Sequence, residues 1–213
     1  HCANTGSLMG LSVPGQKVWI ENSNNPSRKL QFSWKLTELS PDKFVVVDTG
    51  SANKIVKEAL NENSIVELSN YSSFFSEVPY GTNSRIDFLL EFNDKPKCYL
   101  EVKSVTLSRR KKIAEFPDSV TSRGAKHLIE LEKMVKSGFR AVMLFLICRN
   151  DCEVFDISDD LDPFYAKCFS KASEAGVEVL CYDTVINKEI IKIGRRIPLC
   201  DALINRMSFN DAG

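Results

Sequence analysis

The sequence predicts a mixed α/β protein in which an all-β segment precedes a mixed β-sheet covered by helices. Two observations predict this arrangement. Residues 1–47 contain short alternating apolar runs separated by turn-forming residues, with no convincing helical pattern. From residue 48 onward, helical patterns alternate with apolar strand-like runs. We therefore predict one domain over residues 1–47 and a second over residues 48–213.

The first domain is predicted to be part of a small β-barrel. Runs at residues 17–20, 30–36 and 43–47 have the strand period, and a polar loop at 22–27 separates the first two. Three strands alone bury too little apolar surface to be stable. Because the chain also begins at His1 without a methionine, we expect that the beginning of this domain is missing.

The second domain is predicted to begin with a helix and a three-stranded meander. The helix covers residues 53–60, and the strands cover 74–78, 84–92 and 97–107. Residues 93–96 are a short turn-forming connection between the last two strands, which makes these strands a hairpin.

Two more helices and three more strands are predicted to complete this domain. A helix runs from Asp118 or Ser119 to Gly138, and a second runs from the Asp162-Pro163 pair to residue 176. The apolar run at 140–148 is typical of a strand buried on both faces. Strands at 177–182 and 190–198 follow, the latter at the edge of the sheet.

Composition excludes several classes of function. The 28 Lys and Arg residues balance the 28 Asp and Glu residues, which argues against a uniformly basic surface but permits a local basic groove. Two histidines are too few for a histidine-rich zinc site. Seven cysteines without a Cys-x-x-Cys pair indicate reduced, buried thiols and a cytoplasmic location. The longest apolar run, residues 141–148, is too short to span a membrane, so we expect no membrane partner.

The chemistry is expected at Asp87, Glu101 and Lys103 in the predicted hairpin. Side chains alternate along a strand, so Glu101 and Lys103 share one face. If the short loop sets the register, Asp87 meets Glu101 at one end of the sheet. Both acids lie among apolar residues, where an unpaired charge is costly, so their placement requires a reason.

A divalent cation supplies that reason. Mg²⁺ is typically held by one or two carboxylates together with water and phosphate oxygens, and Asp87, Glu101 and the Val102 carbonyl offer such oxygens. We therefore expect Mg²⁺ or Mn²⁺ as cofactor, with Lys103 orienting a water and offsetting charge on phosphorus. This Asp…Glu-x-Lys pattern and the element order are those of PD-(D/E)XK nucleases. A solvated surface Glu-x-Lys pair is the alternative interpretation.

The sequence also resembles the sugar fermentation stimulation protein A (SfsA) family over nearly its whole length. The matching segments are residues 1–7 (HCANTGS), 25–30 (NPSRKL), 48–50 (DTG) with Asn53, 80–90 (YGTNSRIDFLL), 99–107 (YLEVKSVTL), 116–128 (FPDSVTSRGAKHL) and 194–198 (GRRIP). The resemblance implies a partial OB-like β-barrel joined to a PD-(D/E)XK nuclease-like domain, with DNA binding as the assigned property. Family members usually carry a few dozen residues before the His-Cys segment.

The family pattern suggests where nucleic acid would bind. Arg85 is expected to share a face with Asp87 and contact a phosphate oxygen. Arg123 and Lys126 lie three residues apart on a helix and are expected to grip a nucleic-acid backbone, although a solvated stripe is equally compatible. The densest basic run would attract phosphate, although such runs are usually flexible loops. This run comprises Arg109, Arg110, Lys111 and Lys112.

The remaining assignments concern an additional acid and two residues of the helix predicted to end at Gly138. Glu67, preferred over Glu58, is predicted as a further metal ligand from the first helical region. Asp118 is interpreted as a helix N-cap, and His127 as a structural residue on the polar side of its helix.

Two functions follow from these predictions. The first is a DNA-binding protein with a Mg²⁺-dependent phosphodiesterase site, DNA being favoured over RNA. The second is a non-catalytic nucleic-acid-binding regulator that keeps the nuclease-like domain for its shape, so enzymatic activity is left open. A carbohydrate enzyme is disfavoured because no pair of carboxylates with aromatic platforms is recognisable. The sequence gives no indication of the oligomeric state.

Overall fold

The computed structural model describes residues 1–3 and 6–209, so Asn4 and Thr5 of the first matching segment lie outside it. The N-terminal sheet is antiparallel with the order β1-β2-β3. Its strands are β1 (Lys17–Asn22), β2 (Phe32–Ser40) and β3 (Lys43–Val46). The amide of Val46 donates to the carbonyl of Cys148 at 2.8 Å, which joins β3 to the second half of the chain. The three predicted strands are therefore present, although β2 begins and ends later than predicted.

A six-stranded sheet forms the centre of the second half. Its order is β12-β11-β9-β6-β5-β4, with β6, β9 and β11 parallel and the outer pairs antiparallel. The strands are β4 (Ser73–Tyr80), β5 (Ser84–Glu91), β6 (Cys98–Val105), β9 (Arg140–Ile147), β11 (Glu178–Ile186) and β12 (Ile191–Arg196). From Ala141 onward β9 is buried, as the continuous apolar run predicts, and β12 lies at an edge.

Helices cover both faces of this sheet. The helices are α1 (Gly50–Asn61), α2 (Ser122–Lys136), α3 (Pro163–Glu174) and α4 (Asp201–Phe209), with a short 3₁₀ helix at Val66–Leu68. α1 shares a hydrophobic core with one face and with Phe44 of β3, while α2 and α3 share a second core with the other face. None of the helices in the described part of the chain is long and apolar enough to cross a membrane. The predicted fold class, a β segment followed by a mixed sheet flanked by helices, is confirmed.

A small third sheet was missed by the sequence prediction. It has the order β10-β8-β7 and comprises β7 (Leu107–Arg110), β8 (Ile113–Phe116) and β10 (Val154–Ile157). Arg109 and Arg110 therefore lie in a strand, whereas a flexible loop was expected. Their guanidinium groups bond the buried carboxylate of Glu115 at 2.9 and 3.1 Å, and this pairing allows a basic run to form a strand.

The start of α2 differs from the prediction that Asp118 caps it. The N-cap is Thr121, whose hydroxyl accepts from the amide of Gly124 at 3.1 Å. Asp118 instead accepts from the amide of Ser7 at 2.8 Å, so its carboxylate holds the N-terminal segment. Two acceptors lie close together in the sequence, and only the tertiary structure decides which one caps the helix.

Loss of this cap is expected to destabilise the protein. Thr121→Ala leaves the Gly124 amide without its acceptor and should lower the free energy of unfolding by about 1 kcal/mol. Thr121→Ser keeps the hydroxyl and should stay within about 0.5 kcal/mol of the native protein. Urea denaturation measures both, and equal stability of the two variants would contradict the assignment.

Candidate functional site

The candidate site lies where β5 and β6 separate. The two strands pair Leu90 with Cys98, Leu89 with Tyr99 and Phe88 with Leu100, and the pairing then stops. The next pair in this register would be Asp87 with Glu101. In place of a backbone bond, the Asp87 carboxylate accepts from the Val102 amide at 2.7 Å. Its other oxygen accepts from the side-chain amide of Asn53 in α1, also at 2.7 Å.

Glu101 is held by two neighbours through a single oxygen. The residue is 2% exposed. Its Oε1 accepts from Lys103 Nζ at 2.7 Å and also contacts Nδ1 of His127 in α2. Oε2 is buried and has no hydrogen-bond partner among the described residues. A buried carboxylate oxygen without a donor is costly, so this atom is suited to a cationic or hydrogen-bonding ligand.

The pKa values of Asp87 and Glu101 are shifted in opposite directions. Burial, followed by the negative charge of Glu101, raises the pKa of Asp87 to about 6 and outweighs the bonds from Val102 and Asn53. Burial also opposes ionisation of Glu101, but the charge of Lys103 and the contact with His127 hold the pKa of Glu101 below its ordinary value. Glu101 is therefore ionised at neutral pH, and ionised Asp87 is under electrostatic strain that a cation would relieve.

A cavity of about 470 Å³ opens in front of these residues. Residues at the N-terminal ends of α1 and α2 line it, including Thr49 and Arg123. Gly6 lines it from the N-terminal segment, and Asp118 from the loop before α2. The cavity is also lined by Asn53, Asp87, Glu101, Val102, Lys103 and His127. The cavity is thus lined by polar residues, among them the acids Asp87 and Glu101 and the basic residues Arg123 and Lys103.

Of Arg85, Arg123 and Lys126, which were predicted to bind nucleic acid, only Arg123 lines the cavity. Arg123 lines the cavity, and its Nε lies 3.4 Å from Nε2 of His127. Arg85 is exposed and directed to the carbonyl of Glu77, and Lys126 donates to the carbonyl of Thr82 at 2.7 Å. The side chains of Arg123 and Lys126 therefore point to different places. Neither Arg85 nor Lys126 lines the cavity.

The basic run of β7 and its turn is largely neutralised by carboxylates. Arg109 bonds Glu115 and Asp160, and Arg110 bonds Glu115 and Asp156. Lys112 pairs with Glu153 at 2.6 Å, whereas Lys111 is exposed. A phosphate contact by this run stays a prediction.

The structure does not bring the predicted additional acid to the site. Glu67, in the 3₁₀ helix, accepts from the Tyr182 hydroxyl at 2.5 Å and pairs with Arg196 at 2.9 Å. It does not line the cavity, and Glu58 is exposed on α1. Within residues 1–3 and 6–209, no group of three or more His, Cys, Asp and Glu side chains is arranged to hold a metal ion. Of the residues predicted to hold the metal, Asp87, Glu101 and Val102 line the cavity.

Sequence reasoning missed two residues of the site. His127 was expected on the polar side of α2, but it is buried and its ring contacts Glu101. Asn53 was noted only as part of a matching segment. The available signal was their position in segments shared with a known family, since neither residue type is distinctive by itself.

Comparison with known proteins agrees with this architecture. The family described as "SfsA N-terminal OB domain" matches residues 1–47, and "Sugar fermentation stimulation protein RE domain" matches residues 50–190. The sugar fermentation stimulation protein homologs of Ruegeria sp. and Roseobacter denitrificans are 51% and 49% identical, each over 93% of this chain and 85% of the relative.

A solved structure has the same fold. It is Pyrococcus furiosus SfsA in complex with Ca²⁺, with a TM-score of 0.84 and 25% identity over 93% of this chain and 84% of that one. The family matches, together with relatives of about half-identical sequence, establish the relationship. This chain belongs to the sugar fermentation stimulation protein (SfsA) family.

Proposed function

We propose that this protein is a divalent-metal-dependent phosphodiesterase that binds and cleaves DNA, with RNA as the second substrate to be tested. The observation that carries the proposal is the unpartnered, buried Oε2 of Glu101, a residue that lines a polar cavity together with Asp87 and Lys103. A metal-binding carboxylate must leave an oxygen available, and the free Oε2 of Glu101 meets this requirement.

The residues at the cavity fit Mg²⁺ or Mn²⁺. Asp87, Glu101 and the Val102 carbonyl would hold the ion, with water and substrate phosphate oxygens completing its shell. When bound, the ion would polarise a phosphoryl oxygen and lower the pKa of a bound water. The Ca²⁺ complex of Pyrococcus furiosus SfsA supports a divalent-cation site in this chain.

The remaining side chains have roles that follow from their charge. Lys103 is 13% exposed, so its ammonium group can reach the cavity while it holds Glu101, and it would offset charge developing on phosphorus. Arg123, at the cavity wall, would bind a non-bridging phosphate oxygen. Arg85, Lys126 and the run Arg109–Lys112 would contact phosphates farther along the strand.

Cleavage of labelled DNA and RNA tests the proposal. The protein is incubated with each substrate in Mg²⁺, in Mn²⁺ and in chelator, and products are separated by length. Cleavage that needs the metal supports the proposal. Binding without cleavage under all conditions would favour the second function, a non-catalytic nucleic-acid-binding regulator.

Loss of the Lys103 charge should slow turnover more than it weakens metal binding. Lys103→Met keeps the aliphatic stem but removes the ammonium group, and we expect kcat to fall about 10²-fold or more. Lys97→Met, at an exposed lysine of the same hairpin, is the matched control and should leave kcat unchanged. Single-turnover cleavage and calorimetric Ca²⁺ titration separate the two effects. A loss of metal affinity as large as the loss of kcat would contradict the role given to Lys103.

A further inference from the structure

His127 lies at the centre of the polar contacts around Glu101. It is 4% exposed and lies on α2, one helical turn beyond Arg123. Nδ1 contacts Glu101 Oε1 and lies 3.2 Å from Lys103 Nζ, and Nε2 lies 3.4 Å from Arg123 Nε. Nδ1 therefore faces Glu101 and Lys103, whereas Nε2 faces Arg123.

These contacts select one tautomer of the ring. Arg123 Nε can only donate, so Nε2 must supply the acceptor lone pair. An ionised Glu101 oxygen can only accept, so Nδ1 must carry the hydrogen. Lys103 then donates to Glu101 Oε1, and its approach to Nδ1 is a contact without a hydrogen bond. In the Nδ1–H form, both ring nitrogens and Arg123 Nε have a hydrogen-bond partner.

We propose that His127 is a positioning residue that orients the Glu101 carboxylate for metal binding through its Nδ1–H group. His127 and Lys103 both bind Oε1 and thereby leave Oε2 as the available oxygen. The Nε2 atom also holds Arg123 at the cavity wall. Residues that orient a metal ligand commonly change metal affinity about 10–100-fold when they are replaced. The functional part of this inference rests on the proposed metal site, but the hydrogen bond to Glu101 does not.

A tautomer measurement tests the hydrogen bond without metal or substrate. The chain has only His1 and His127, so a long-range ¹H–¹⁵N spectrum of the metal-free protein contains two imidazole patterns. We expect the buried ring to be protonated on Nδ1 and unprotonated on Nε2. A ring protonated on Nε2, alone or together with Nδ1, would overturn the inference.

Two amide substitutions separate positioning from packing. The amide nitrogen of His127→Asn can take the place of Nδ1, whereas the amide of His127→Gln reaches only the place of Nε2. Calorimetric titration with Ca²⁺ should give a Kd within about threefold of the native value for His127→Asn and about 10-fold or more weaker for His127→Gln. Lys136→Ala, at an exposed position of the same helix, is the control for a general effect on α2.

The outcomes distinguish this inference from the proposed function. Equal losses in both amide variants would indicate a packing role for His127 and overturn the positioning role. Native affinity in His127→Gln would do the same. If the native protein binds no Ca²⁺, Mg²⁺ or Mn²⁺, the proposed function and the metal-positioning role both fail, and the tautomer spectrum still decides whether Nδ1–H holds Glu101.

Discussion

Replacement of Glu101 by glutamine is expected to abolish metal-dependent cleavage while the protein stays folded and binds DNA. Glutamine has nearly the same shape, and its amide oxygen can still accept from Lys103 and His127 at the position of Oε1. What it removes is the negative charge and the unpartnered oxygen Oε2. The substitution therefore acts on metal binding and changes the packing of β6 very little.

The expected loss is large because the proposed metal would supply several kcal/mol of transition-state stabilisation. We expect kcat/KM to fall by about 10³-fold or more. DNA affinity measured in chelator should change less than about threefold, because the proposed phosphate contacts with basic residues would dominate it. Glu91→Gln, on the neighbouring strand and paired with Lys97 at the surface, is the control and should keep full activity.

Thermal unfolding must accompany these assays. A folded Glu101→Gln protein that cleaves DNA at the native rate would rule out Glu101 as a metal ligand. A protein that unfolds or loses DNA affinity together with activity would instead indicate a structural ion network around Lys103.

The hairpin that carries the site could be predicted because its determinants are local. Strand alternation places Glu101 and Lys103 on one face, and the short turn between β5 and β6 brings Asp87 toward Glu101. The separation of the strands beyond Phe88 could not be predicted, because it depends on the Asp87 side chain taking the Val102 amide.

Residues that act through tertiary contacts were beyond sequence reasoning. His127 has the helical position of a surface residue, and only the packing of α2 on β6 and β9 buries it. Glu67 has the right chemistry for a ligand, but Tyr182 and Arg196 hold it elsewhere. The small β10-β8-β7 sheet was hidden because Arg109 and Arg110 interrupt the apolar pattern and find their carboxylate partners only in the folded chain.

Replacement of Asp87 by asparagine is expected to stabilise the metal-free protein at neutral pH. The pKa of Asp87 is raised to about 6 in the folded protein, from an ordinary value near 3.8. The folded state therefore binds the proton more tightly than the unfolded state does. The resulting stabilisation is complete below about pH 4 and is lost as the pH rises through about 6. The loss amounts to about 3 kcal/mol at pH 7.5.

Asparagine carries no charge and escapes this loss. Its amide oxygen can accept from Val102, and the Asn53 amide can reorient to face the new side chain. In chelator at pH 7.5, Asp87→Asn should therefore unfold at higher urea than the native protein, by about 1–3 kcal/mol. At pH 4, where Asp87 is largely protonated, the difference should nearly vanish. Asp94→Asn, in the hairpin turn, serves as the control for loss of one acidic charge and should shift stability by less than about 0.5 kcal/mol.

Added metal should remove or reverse the stability difference between the native protein and Asp87→Asn. A cation that binds only the folded state adds about 2.7 kcal/mol at a concentration 100 times its Kd, and only the native protein has the Asp87 charge to bind it well. With Ca²⁺ at pH 7.5, the native protein should therefore match or exceed Asp87→Asn in urea midpoint. If Asp87→Asn is less stable than the native protein in chelator, the hydrogen bonds from Val102 and Asn53 stabilise the ionised Asp87 carboxylate more than burial and the charge of Glu101 destabilise it. In that case Asp87 would be a structural anchor, because an acid kept for metal binding should cost stability when the metal is absent.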